Sequence, residues 1–149
     1  MNEFERLATT EQQLLNKASW ANAANEEYAF VDNAITPGQI VAGVKQNSNC
    51  RPGSGWQYTF VMRPNTGWHH FAFTYDGVSA KIYLDGSLTT TNSSITGPID
   101  ICIGGELIIG AGWSAVGIAG TPDWWNGLID DIIIYNRALS ESEIQQLYQ

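Results

Sequence analysis

The sequence predicts an all-β fold, an antiparallel sandwich closed by one short C-terminal helix. Three observations predict it. Short β-branched and aromatic runs recur along the chain, divided by Gly, Pro, Asn and Asp turn signals. Asp85-Gly86 stands between two such runs and reads as a type I′ hairpin, whose two central residues both need positive φ. Near the end, Gly127-Leu-Ile-Asp-Asp-Ile-Ile-Ile-Tyr-Asn-Arg-Ala-Leu-Ser140 reads as a strand feeding a helix start. Ser140 and Glu143 have the spacing of a capping box, and Ile144, Leu147 and Tyr148 fall on one helical face.

The elements follow in order. Gln12 to Trp20 is a short strand, followed by an Asn- and Ala-rich loop. Tyr28 to Val31 is a strand. Pro37-Gly38 marks a turn, and Gln39 to Lys45 is the next strand. Asn47 to Gly55 is a loop before the strand Trp56 to Val61. Trp68 to Tyr75 alternates and ends at Asp76-Gly77. Lys81 to Leu84, Ser87 to Thr91 and Glu106 to Gly110 complete the series. Gly112 to Asn126 is a long loop with three Trp residues. In the strand that begins at Gly127, Asp130 shares a face with Ile132 and Ile134, so it points toward the core. A carboxylate there needs N–H donors, a cation or a metal.

Composition bounds the function. The chain has 149 residues, 44% hydrophobic and 11% aromatic, enough for one domain with a core and too apolar for disorder. The domain is read as residues 1–149. A formal net charge of −8 repels phosphate backbones, which argues against nucleic acid as a partner. No apolar run approaches the roughly 20 residues of a membrane helix, so no membrane partner is expected. The opening Met-Asn-Glu-Phe-Glu-Arg lacks the basic and apolar regions of a signal peptide. Cys50 and Cys102 fit either one disulfide or two partly buried thiols. Without nearby His they do not make a zinc site.

Five pieces in fixed order carry a resemblance: Trp68-His-His, Thr74-Tyr-Asp-Gly77, Lys81-Ile-Tyr-Leu-Asp-Gly86, Leu107-Ile-Ile-Gly110, and Gly127-Leu-Ile-Asp-Asp through Ser140. Together they resemble the bacterial laminin-G-like domain of the concanavalin A-like lectin/glucanase superfamily. The resemblance runs from about Gln12 to the C-terminus. It implies a concanavalin A-like jelly roll, and an extracellular or cell-surface location. Members usually begin with several more strands, and Met1 to Glu11 does not match them. Where the family commonly has Arg, this chain has Ile108 and Ile133, both facing outward by alternation. That, with the poorly matched N-terminus, predicts a homo-oligomer with Ile108 and Ile133 at its interface.

The candidate sites follow. Some relatives bind a structural calcium ion, and Asp130 is the residue that would ligate it here, against the alternative of a carboxylate bonded to loop N–H groups. Trp20, Trp113 and Trp124 lie in or beside loops, where an aromatic face can stack on a sugar. Asn22, Asn25, Asn47 and Asn49 are loop amides suited to hydroxyl groups. Trp125 takes the place of a family aromatic that faces the core. His69 and His70 are adjacent on a strand, point to opposite faces and cannot chelate one metal. The Glu-x-Asp-x-Glu run of the superfamily's glucanases is absent, and no strand offers two facing carboxylates, so no catalytic residue is assigned. The expected function is a non-catalytic module that binds carbohydrate or glycoprotein through loops at one edge of the sandwich. The alternative is a structural or assembly module that binds protein chains without sugar.

Overall fold

The computed structural model of the chain describes residues 12–18, 27–33, 38–50, 54–111 and 124–149. Within them lie eight strands: β1 (Gln12–Ala18), β2 (Tyr28–Asn33), β3 (Gln39–Lys45), β4 (Trp56–Met62), β5 (Phe71–Tyr75), β6 (Ala80–Leu84), β7 (Ser87–Asn92) and β8 (Glu106–Ile109). The helix α1 (Glu141–Tyr148) follows. The strands form two antiparallel sheets, ordered β4-β3-β2-β1-β8 and β5-β6-β7. This is the expected sandwich of jelly-roll type with a terminal helix.

The core lies between the sheets. β3 contributes Ile40, Ala42 and Val44 from the larger sheet, and β6 contributes Ala80 and Ile82 from the smaller. Phe30 of β2 is the seam: its ring meets Phe71 and Phe73 of β5 edge-on, with centroids 5.2 and 5.6 Å apart. Edge-to-face geometry sets the positive rim of one ring against the negative face of the other. Ile95 closes one end against Val44 and Ala80.

Turn chemistry fixes the smaller sheet. Asp85 and Gly86 both take positive φ, 51° and 73°, as a type I′ turn requires. The Asp85 carboxylate accepts the backbone N–H of His70 at 3.0 Å, and Nδ1 of His69 lies 2.9 Å from its other oxygen. The second nitrogen of His69 faces the Asn65 carbonyl at 3.0 Å. His70 packs beside Tyr148 of α1. One histidine is thus a hydrogen-bonded brace and the other a packed ring. Leu139 and Ile144 bury against Tyr83 on the outer side of β6. The capping box forms: Ser140 Oγ accepts the Glu143 N–H, and Glu143 accepts the Ser140 N–H at 2.8 Å.

One element departs from expectation. Residues 127–136 join no ladder among the described residues. Asp131 has a φ of 50°, a left-handed conformation that breaks strand alternation. Asp130 is therefore exposed rather than turned into the core, and its Oδ1 accepts the neighbouring Asp131 N–H at 2.9 Å.

Ile108 also differs. It pairs with Asn16, which is buried, and is itself half-buried. Its neighbours Leu107 and Ile109 are more exposed. Register across β1, absent from a single-strand reading, decides this. Ile133 is exposed as expected.

Candidate binding site at the β3–β4 hairpin

β3 and β4 pair from Gln39 with Met62 to Lys45 with Trp56, and the Gln46 N–H bonds the Gly55 carbonyl at 2.8 Å above the last pair. Beyond it the chain turns through Asn47, Asn49 and Cys50, with φ of 53°, 49° and 60°. Asn visits this region at lower cost than most residues because its short amide bonds locally. Gly55 is obligatory here. Its φ is +78°, and an added Cβ would stand 2.4 Å from the Gln46 carbonyl oxygen.

The turn is clamped from three sides. The Asp100 carboxylate accepts the Ser48 N–H at 2.9 Å and the Ser48 hydroxyl. Burial pushes the Asp100 pKa up, but those two bonds and the N–H groups of Asn47 and Cys50 outweigh it, so the group titrates below the usual carboxylate range. Gln46 donates to the Tyr75 hydroxyl at 2.6 Å and to the Gly97 carbonyl at 3.0 Å. Cys50 and Cys102 are disulfide-bonded with Cα atoms 5.8 Å apart, and the Cys102 N–H donates to Glu27 at 3.0 Å. Asn47 and Asn49 stay exposed on this braced loop.

At its foot stand Trp56 and Tyr58, two positions apart on one face of β4. Their rings stack, with centroids 5.5 Å apart and planes 11° from parallel. Tyr58 lies over β3 because Gly43 is there: a Cβ at Gly43 would come within 2.7 Å of the Tyr58 ring. Phe60 and Met62 continue the exposed stripe. The side chains of Thr90 and Asn92 bond the carbonyls of Phe60 and Tyr58 at 3.0 and 3.2 Å. These bonds occupy acceptors that an edge strand would offer to another strand, so β4 presents its face more than its edge. The arrangement offers aromatic surface for stacking beside two fixed amides.

The predicted binding residues that the structure describes do not converge. Trp124 is exposed and bridges Ala111, at the end of the sandwich where Gln13 and Val31 pair. Asn47 and Asn49 lie past Lys45, at the other end of β3. Trp20, Asn22, Asn25 and Trp113 lie outside the described residues. Trp125 is partly buried, its indole packed over Gly127. Asp130 is exposed, and no group of three or more His, Cys, Asp or Glu able to hold a metal occurs among the described residues. Sequence reasoning missed Trp56 and Tyr58. The one available signal was four large side chains, Trp56, Tyr58, Phe60 and Met62, on alternate positions, and such a stripe reads first as core.

Comparison with known proteins decides the family, because the family model of the concanavalin A-like lectin/glucanases superfamily matches residues 53–145. The chain belongs to this laminin-G-like family. Solved structures share the fold at low identity. The CBM40 domain of the Ruminococcus gnavus IT-sialidase is 15% identical with a TM-score of 0.67, covering 95% of this chain and 76% of that one. The heptameric SAP-like pentraxin of Limulus polyphemus is 18% identical with a TM-score of 0.63, over 94% of this chain and 64% of that one. The receptor-binding domain of botulinum neurotoxin type G is 16% identical with a TM-score of 0.61. There the match covers 99% of this laminin-G-like chain but 34% of the toxin domain. No curated protein matches the chain.

Proposed function

We propose that this laminin-G-like chain is a non-catalytic module that binds carbohydrate or glycoprotein at the β3–β4 hairpin. One observation carries the reading: the stacked Trp56–Tyr58 pair, with Tyr58 51% exposed, stands at the foot of a clamped loop that fixes two exposed amides. A pyranose ring stacks its C–H face on Tyr58, while Asn47 and Asn49 bond its hydroxyls. Pre-set loop geometry lowers the ordering cost of binding. The toxin-domain neighbour is by its name a receptor-binding domain, which agrees with a binding role. The disulfide supports an oxidising location, outside the cytoplasm.

A glycan array followed by tryptophan fluorescence titration tests this. The stack lies in the site, so a binding glycan should change the emission of the wild type. Loss of one stacking ring is worth roughly 1 kcal/mol, so Tyr58→Ala should weaken binding by about fivefold to tenfold. No response to any glycan would favour the assembly-module alternative.

A further inference from the structure

β4 turns Trp56, Tyr58, Phe60 and Met62 outward at alternate positions, opposite the buried Thr59 and Val61. Alternate residues of a strand stand roughly 7 Å apart, so the row runs for roughly 20 Å along one element. Tyr58, Phe60 and Met62 are 51, 51 and 62% exposed. β3 makes room for them. Gly43, in register with Tyr58, has no side chain, and Val41, in register with Phe60, is buried. The Met62 methyl lies 3.8 Å from where a Cβ of Gly38 would stand. The row is long and one side chain wide.

Three features select its occupant. The outward residues of β3 and β4 offer no exposed charge: Lys45 shares this face by register but is fully buried. With a formal net charge of −8 on the chain, an acidic polymer meets repulsion and no exposed cation here. The carbonyls of Tyr58 and Phe60 accept the side chains of Asn92 and Thr90, so an extended peptide finds those ladder acceptors taken. The spacing along the row is comparable to the length of one pyranose unit.

Resting on the hairpin reading above, we infer that the ligand is a neutral, unbranched polysaccharide, bound by a run of sugars laid along β4. Tyr58 takes one ring, Phe60 the next, and Met62 the one beyond, its flexible thioether covering the C–H face. Asn47 and Asn49 hold hydroxyls at the Trp56 end of the row.

Calorimetric titration with cello-, manno- and xylo-oligosaccharides of one to six units tests it, with polygalacturonate as the acidic comparison. At least one neutral series should bind, and polygalacturonate should not. Each sugar added up to the third should tighten binding by about threefold to tenfold, and later ones should add little. Phe60→Ala should weaken the six-unit chain by about fivefold to tenfold and flatten the gain with length. Phe60 is half exposed, so circular dichroism should show an intact fold. A single sugar bound as tightly as six units overturns the inference and leaves the hairpin reading standing. So does a length dependence that Phe60→Ala leaves unchanged, or binding of polygalacturonate in preference to the neutral chains. No binding by any of the three series overturns it too. The hairpin reading survives that result where a glycan array still responds and falls with it where the array is silent.

Discussion

Asp100 does more for the candidate site than any residue that would touch a ligand. Its carboxylate gathers the N–H and hydroxyl of Ser48 and the N–H groups of Asn47 and Cys50. Three of the four residues from Asn47 to Cys50 sit in the left-handed region, each at an energetic cost that this carboxylate helps to offset. Asp100 titrates below the usual carboxylate range because the bonds to its charged form outweigh burial. The unfolded chain therefore takes up a proton before the folded one does. The stability this group contributes is complete above its unfolded pKa, about 3.9. It is lost as pH falls through its lower folded value. Asp85 behaves alike: burial raises its pKa, and bonds from His69 and His70 more than reverse that. Urea unfolding from pH 6 down to pH 2 should show stability falling below about pH 4. Asp100→Asn should flatten that slope while costing about 1–3 kcal/mol at pH 6. An unchanged slope in the variant would place the acid sensitivity elsewhere.

Elements were legible where local chemistry and tertiary packing agreed. The Asp85-Gly86 turn and the Ser140–Glu143 box each need only residues close in sequence, and both form as read. β4 was legible as a strand but not as a surface. Its alternation places Trp56, Tyr58, Phe60 and Met62 on one side and Thr59 and Val61 on the other, and the smaller residues are the ones inside. Which side faces the core depends on register with β3, where Ile40 meets Val61. The segment from Gly127 joins no ladder among the described residues, since pairing needs a neighbour and propensity does not supply one. These two cases divide the C-terminal substitutions. Ser140→Ala removes the cap of α1 and should cost about 1 kcal/mol. Asp130→Ala removes an exposed side chain with one local bond and should stay within about 0.5 kcal/mol. Thermal melts of the two variants compare them directly, and a larger loss for Asp130→Ala would mean that its carboxylate is buried after all.

At the scale of the whole molecule, the decisive constraint is the Cys50–Cys102 bridge, which spans a sequence separation of 52. β4, β5, β6 and β7 all lie between the two cysteines, so the closed loop contains the entire smaller sheet and one edge strand of the larger. The bridge thus removes unfolded conformations in which the two sheets drift apart. For a loop of this length the chain-entropy estimate is roughly 4 kcal/mol. A chain of this size shifts its midpoint by about 2–4 °C per kcal/mol, so reduction should lower Tm by about 10 °C. The reduced protein should still fold, because Asp100 on Ser48 and Gln46 on Tyr75 and Gly97 fasten the same loop without sulfur. Cys50→Ser with Cys102→Ser should match the reduced wild type, since the loss lies in the unfolded state rather than in a packed contact. Thiol titration of denatured, unreduced protein should find no free thiol. Two free thiols per chain, or a Tm unmoved by reductant, would remove the bridge from this account and leave the polar clamps alone to hold the hairpin loop.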